Sequence, residues 1–243
     1  MKAFILAAGK GTRLAPLTGN KPKALVEVNG KPMLQGVIER LKDRGFTEFM
    51  INIHHFGQQI TDFLKANNNF NVDIKISDER DLLLDTGGAV VKAARFFKGS
   101  QPVLVHNADI YSNADFAKLM DNHKKSGALV SLLVRNRNST RKLLFNNRMA
   151  LTGWKNLKTG EYKWVGDKTP YYTERAFSGI YIASAGYPEK IGLQGSFPVV
   201  PQWLKLARTE PVVGVENNND LWFDLGTIEK IKEAELSIQS HGQ

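Results

Sequence analysis

The sequence predicts an α/β fold, doubly wound around a mainly parallel sheet with antiparallel strands added in its second half. Three observations carry this. Lys2 to Leu6 is apolar without polar alternation, as in a central parallel strand covered on both faces. Apolar strands and amphipathic helices then alternate as far as about residue 127. Beyond it, short strands follow one another with turn signals between them.

After the first strand comes a glycine-containing loop, and Met33, Leu34, Val37, Ile38 and Leu41 then recur at helical spacing until Gly45 closes the helix. Phe49 to Ile53 reads as the next strand, with a helix near Gln58 to Lys65 and a strand at Val72 to Ile76. A helix is expected from about Ala89 and a strand at Pro102 to His106. Ala128 to Val134, Leu143 to Phe145, Ala150 to Trp154, Tyr162 to Val165 and Phe177 to Ile182 read as the strands of the second half. Pro211 to Val215 is a further strand, Asn217-Asn218-Asn219 a polar turn, and Thr227 caps a last helix whose Ile228, Ile231, Ala234 and Ile238 face the core. The rhythm is that of a Rossmann-like sheet, and without a linker or internal repeat one domain is expected over 1–243.

The 243 residues contain no cysteine, which excludes disulfides, thiolate metal sites and cysteine nucleophiles. No apolar run approaches the ~20 residues of a membrane span, so neither membrane nor secretion is expected and cytoplasmic residence is the default. Thirty-three basic against 24 acidic residues give a net charge of +9, which suits anionic partners. The basic residues are spread along the chain without a nucleic-acid-binding signature, so small phosphates are favoured over nucleic acid. The densest basic cluster, Arg135, Arg137, Arg141, Lys142 and Arg148, reads as a solvated hairpin face or as a cradle for phosphate or carboxylate. Adjacent His54 and His55 would point to opposite faces of a strand and could not share a metal, and His106 packs near a strand end.

In an open α/β sheet ligands bind beyond the carboxyl ends of the strands. There the chain places Leu6-Ala7-Ala8-Gly9-Lys10-Gly11-Thr12-Arg13-Leu14, whose glycines let backbone amides approach a phosphate. It is neither a dinucleotide fingerprint, which needs glycine where Leu14 stands, nor a Walker loop. Arg13 and Lys23, the latter in Lys21-Pro22-Lys23-Ala24-Leu25, add two cations able to neutralise a triphosphate. Asp109 follows the strand at Val103, where it could hold a metal, shape a turn or cap a helix starting near Asn113. Asp224 lies between an apolar strand and the last helix in Trp222-Phe223-Asp224-Leu225-Gly226-Thr227.

This set of motifs resembles the sugar-phosphate nucleotidyltransferase family over nearly the whole chain. The resemblance implies that Leu6, Ala8, Gly9, Gly11 and Thr12 line the nucleotide, Arg13 grips the departing phosphates and Lys23 balances charge near the α-phosphate. It implies that Asp109 and Asp224 jointly bind magnesium, with manganese as a substitute, although Ala108 stands where the family carries glycine. Leu84-Asp85-Thr86-Gly87-Gly88-Ala89 resembles the stretch that lies against nucleobase or ribose, which gives Gly87 and Gly88 a nucleotide role beside the plainer reading of a helix start. Phe177-Ser178-Gly179-Ile180 resembles the sugar-side strand, and Asn107, Glu174 and Gly179 become candidates for the sugar phosphate.

The nucleotide is expected on about 1–127 and the sugar phosphate on about 128–243. Among subfamilies the Gly57-Gln58-Gln59-Ile60 stretch, the Thr-Gly-Gly turn and the final Asp-x-Gly-Thr look most like N-acetylmuramate-1-phosphate uridylyltransferases of cell-wall recycling, which favours UTP. Mannose-1-phosphate guanylyltransferases share many of these features. A regulatory subunit that senses nucleotide sugars without turnover is the alternative of another class, and a monomer or small homo-oligomer is expected.

Overall fold

Alternating burial along short chain segments sets the architecture, seen here in a computed structural model that describes residues 1–218 and 220–241. The fold is mixed α/β, and the chain forms two interleaved units. The first comprises 1–83, 106–117 and 220–243, the second 84–105 and 118–219. Residue 127 lies inside the second.

In the first unit the apolar run Lys2–Leu6 is a strand with Ala3, Phe4 and Ile5 fully buried. It pairs in parallel with Glu48–Ile53, Leu6 lying opposite Asn52, and Glu48–Ile53 pairs in parallel with Asp73–Asp78. Helices Met33–Lys42 and Gly57–Ala66 make the crossovers, burying Leu34, Val37, Ile38 and Leu41 from one and Ile60 and Leu64 from the other. The first stops where the sequence expects, its end followed by Gly45 at φ 84°. A two-stranded pair, Ile110–Ser112 with Trp222–Asp224, and the terminal helix Ile228–His241 complete the unit. Ile231 and Ala234 pack with Leu14, Val26, Met33 and Leu225 into one apolar cluster that Ile228 and Ile238 flank, as the helical spacing predicts.

In the second unit antiparallel pairing predominates. Val130–Arg135 pairs antiparallel with Thr173–Ala183, which pairs with Arg141–Phe145, then Leu151–Asn156, then Glu161–Trp164. Val212–Glu216 lies parallel to Val130–Arg135. Trp203, Tyr181 and Tyr187 are buried around edge-on ring contacts, and Trp203 Nε1 donates to the Tyr187 hydroxyl at 2.9 Å. Burial drives both tyrosine pKa values up, so these phenols stay neutral.

Several expected boundaries move. The helix expected from Ala89 begins at Asp85, so Gly87 and Gly88 lie in its first turn. The helix expected near Asn113 begins at Phe116, because the Asn113 side chain accepts the Leu221 amide instead of capping. Thr227 does cap, its hydroxyl facing the Lys230 amide at 3.4 Å. His54 and His55 follow the strand that ends at Ile53 and so lie on no strand. Of the Asn217-Asn218-Asn219 turn, Asn219 lies outside the described residues. Among the described residues no helix is long and apolar enough to cross a membrane.

Candidate active site

The first strand ends into a loop that a buried amide holds open. Asn52, which is 3% exposed and sits between Ile51 and Ile53 in its strand, accepts the amides of Ala7 at 2.6 Å and Ala8 at 3.3 Å through Oδ1. Its Nδ2 donates to Glu79 Oε1 at 2.9 Å. The strand's polar intruder thus completes the hydrogen bonding where the backbone leaves the sheet. Beyond it, Gly9, Lys10, Thr12 and Arg13 are exposed, and the amides of Gly9, Lys10 and Gly11 donate to no protein group among the described residues. Such a row of unpaired amides, with Lys23 packed against Gly11, suits an anion.

Gly11 is irreplaceable there on two counts. Its φ of 68° is left-handed, and a Cβ would stand 2.9 Å from both Lys23 Cβ and Thr18 Cγ2. Thr18 fixes the turn by donating its hydroxyl to the Gly11 carbonyl at 3.0 Å. Close packing at Gly11 therefore sets Lys23 beside the loop. The Lys23 ammonium in turn forms an ion pair with Asp109 Oδ2, both side chains being largely buried.

Asp109 follows the strand Val103–Asn107, and the Ala108 amide donates to the Leu6 carbonyl at 3.0 Å, which brings this turn beside the end of the first strand. Ala108, standing where glycine is usual in the resembled family, is buried with ordinary backbone geometry. Asp224 arrives by register: it pairs with Ile110, and the Leu225 amide donates to the Asp109 carbonyl at 2.8 Å. The two expected metal ligands thus meet at the ends of neighbouring strands. Gly226 is bare because a Cβ would be 2.8 Å from Asp224 Oδ1 and 2.9 Å from Arg13 Nη2, so the Arg13 guanidinium lies close by the same carboxylate.

Electrostatics keep Asp224 ionised. Burial pushes its carboxyl up, but the Lys230 ammonium at 2.6 Å, the Gly226 amide at 3.0 Å and the Lys23 charge together hold it below the usual carboxylate range. Lys230 was not among the residues the sequence singled out. Its signal was a lysine in the first turn of a helix, an end that favours acids, which implies an anion nearby. Asn52 carried a signal too, as an amide in an apolar run.

The donor set suits a hard divalent cation. Asp109 and Asp224 offer carboxylate oxygens, each paired with an ammonium, and among the described residues no three His, Cys, Asp or Glu side chains cluster as a cage. One or two carboxylates completed by phosphate oxygens and water is the arrangement magnesium takes at nucleotide sites.

In the second unit, Gly87 and Gly88 have a packing explanation. Their amides donate to the Phe197 carbonyl at 2.9 and 3.3 Å. A Cβ on Gly88 would come 2.1 Å from the Gly195 carbonyl, and one on Gly87 2.5 Å from the Phe197 ring. The space that a side chain would take at these glycines is filled by protein, so packing accounts for the glycine pair. Glu174 is ion-paired with Lys155, and Gly179 is required by a φ of 77°. Asn107 ends its strand half-buried, its carbonyl contacting the ring of His106 at 2.8 Å. His106 packs edge-on against Phe116, as its place at the strand end predicts, and burial lowers its pKa to about 3.

Residues 2–143 match the model of the nucleotidyl transferase family. The chain is 34% identical over 242 residues to the N-acetylmuramate alpha-1-phosphate uridylyltransferase of Neisseria meningitidis serogroup B, covering 97% of each. It is 37% identical to a mannose-1-phosphate guanylyltransferase of Oryza sativa, a match spanning 55% of this chain and 38% of that protein. In fold it is similar to HddC from Yersinia pseudotuberculosis crystallised with GMP-PN, with TM-score 0.76, 22% identity and coverage of 98% and 99%. A phosphate-ready loop, two cations, two carboxylates at strand ends and a family match over more than half the sequence converge: the chain belongs to the nucleotidyl transferase family.

Proposed function

We propose that this chain transfers the uridylyl group of UTP to N-acetylmuramate 1-phosphate, giving a nucleotide sugar and pyrophosphate. The reaction class is that of a sugar-1-phosphate nucleotidyltransferase. The observation that carries it is the convergence, within one unit, of the exposed amides at Gly9 to Gly11 with Arg13, Lys23, Asp109 and Asp224. The choice of acceptor and base rests on end-to-end similarity to the Neisseria enzyme, and a 41% identical match over 109 residues to the enzyme of the same name from Caulobacter vibrioides supports it. The guanylyltransferase alternative rests on matches that cover 38% and 61% of those proteins.

In this reading an oxygen of the sugar phosphate attacks the α-phosphorus in line, and the bond from that phosphorus to the bridging oxygen of the β-phosphate breaks. Both reactants are anions, so neutralisation and alignment are the main tasks. The amides from Gly9 to Gly11 hold the triphosphate, with Leu6, Ala8 and Thr12 lining the nucleotide. Lys23 balances charge at the α-phosphate, and Arg13 stabilises the charge that passes to pyrophosphate. Family members typically use a divalent cation; magnesium, or manganese in its place, would be held by Asp109 and Asp224 and would supply charge neutralisation at the reacting phosphate. Asn107, Glu174 and Gly179 are assigned to the sugar phosphate, and Gly87 and Gly88 keep a nucleotide role only through the fold of their helix. The nucleotide thus belongs mainly to 1–127 and the sugar phosphate to 128–243. Pyrophosphate release across a grid of UTP, GTP, TTP and ATP against N-acetylmuramate, N-acetylglucosamine, glucose and mannose 1-phosphates tests this. Best turnover with GTP and mannose 1-phosphate would replace the proposal by its alternative, and no turnover with any pair would refute it.

A further inference from the structure

Pleating puts alternate residues on one face, and the pairings of the second unit define a face with an unusual charge balance. Lys142 lies directly opposite Lys155, and Lys155 opposite Tyr162. Leu144 pairs with both Gly153 and Glu174, and Gly153 with Trp164. Lys142, Lys155, Glu174, Tyr162 and Trp164 therefore share one side of the sheet. The Tyr162 and Trp164 rings stack 5.7 Å apart, and Lys155 lies 5.8 Å from the centre of the Tyr162 ring.

Two lysines directly opposite on a sheet repel unless an anion lies between them. Glu174 answers one of them, through its ion pair with the nearly buried Lys155. Arg175 is likewise answered, by Glu216 at 2.9 Å, though its Nε is buried without a hydrogen-bond partner. Lys142 is not. Its ammonium donates to the Arg137 carbonyl, and among the described residues no carboxylate forms an ion pair with it. Burial lowers its pKa, with Arg137, Lys155 and Arg175 acting the same way against Glu174. On this face Lys142 and Lys155 thus share one acid, Glu174, in partly desolvated surroundings. Such a surplus is costly in the free protein and favours a bound anion.

We propose that Lys142 determines acceptor specificity by binding a carboxylate carried on the sugar. The inference rests on the acceptor named above, since N-acetylmuramate differs from N-acetylglucosamine by a lactyl ether that ends in a carboxylate. A single ammonium without an ion pair of its own matches that single charge, and the neighbouring Tyr162 and Trp164 rings offer apolar faces to a sugar ring. A second source of the same chemistry is the 1-phosphate itself, and the two differ in what a variant does to each acceptor.

The test is the ratio of kcat/KM for N-acetylmuramate 1-phosphate to that for N-acetylglucosamine 1-phosphate, with UTP saturating, in the full chain and in Lys142→Gln and Lys142→Arg. The parent is expected to prefer the carboxylated acceptor. In Lys142→Gln the ratio should fall about tenfold or more, the scale of one charge-assisted hydrogen bond, mostly through KM. Lys142→Arg should restore most of it. An equal loss for both acceptors would assign Lys142 to the phosphate or to the sheet and overturn the proposal. An undiminished ratio in Lys142→Gln would overturn it while leaving the proposed acceptor standing. A parent without preference would overturn both. Should Lys142→Gln unfold, the charge-keeping Lys142→Arg still decides, because loss of the ratio in a folded Lys142→Arg with near-parental Tm would also contradict the proposal.

Discussion

Gly88→Ala separates a structural glycine from a ligand-facing one. The added Cβ would meet the Gly195 carbonyl at 2.1 Å and Leu84 Cβ at 3.0 Å, and backbone on one side leaves it no flexible neighbour to displace. Segment 195–197 must move, which also strains the hydrogen bonds from Gly87 and Gly88 to the Phe197 carbonyl. Overpacking costs ~1–3 kcal/mol and each weakened hydrogen bond ~1 kcal/mol, against a gain of ~0.5–1 kcal/mol from removing glycine in a helix. The net expectation is a loss of about 2–4 kcal/mol, or roughly 4–16 °C in Tm for a chain of this size. Urea and thermal unfolding would measure it, with equilibrium binding of UTP followed at a temperature where the variant is folded. Unchanged stability with binding weakened tenfold would refute the packing argument and return Gly88 to direct contact with the nucleotide.

Asp109→Asn and Asp224→Asn should each lower turnover by ~10²-fold or more while the far-UV spectrum and Tm stay near the parent's, and retained activity in either would remove it from the metal site. Exhaustive chelation should abolish pyrophosphate release, and added magnesium or manganese should restore it; activity surviving chelation would contradict an oxygen-bound cation. Arg13→Ala should lower kcat more than it raises the KM for UTP, because charge on the leaving pyrophosphate develops after the ground state; an effect confined to KM would make Arg13 a uniform binding contact. Stability should fall on acidification below about pH 6.5, because buried His106 and His123 titrate near 3 and 4 when folded but near ~6.5 when unfolded, so that the unfolded chain binds the extra protons. At pH 5 each histidine should cost about 2 kcal/mol, and urea midpoints that do not move between pH 7 and pH 5 would refute this.

The elements most legible in the sequence were those whose chemistry changes abruptly at both ends. Lys2–Leu6 was readable to the residue because an apolar run meets a glycine-containing loop. Thr173–Ala183 was read short because its first three residues, Thr173, Glu174 and Arg175, are polar where the strand pairs with Arg141–Phe145, and hydrophobicity does not mark such residues. Of the candidate site, Arg13, Lys23, Asp109 and Asp224 were legible because strand ends collect ligand groups in this class of fold. Their partners were harder to see. That Lys23 pairs with Asp109, 86 residues away, or that Asn52 holds the loop at Ala7 and Ala8, depends on strand pairing that local pattern does not encode. Gly87 and Gly88 show the limit most sharply: a glycine pair announces a close approach, but not whether ligand or protein makes it.

The two carboxylates, similar by position, are held by different means. Asp224 has Lys230, the Gly226 amide and, as the weakest of the three, the Lys23 charge acting on it, so its ionisation does not rest on Lys23 alone. Asp109 has as its neutralising partner Lys23, the same cation assigned to the α-phosphate. A triphosphate that engages Lys23 therefore draws charge away from Asp109, and a divalent cation is what restores balance at that carboxylate. Nucleotide and metal should on this account favour one another's binding, through a shared lysine and with no change of fold. Lys230, six residues beyond Asp224 on the terminal helix, is not shared in this way. The asymmetry follows from where the lysines sit: one on a loop locked by Gly11, the other on a helix anchored in the apolar cluster of Leu14, Met33 and Leu225.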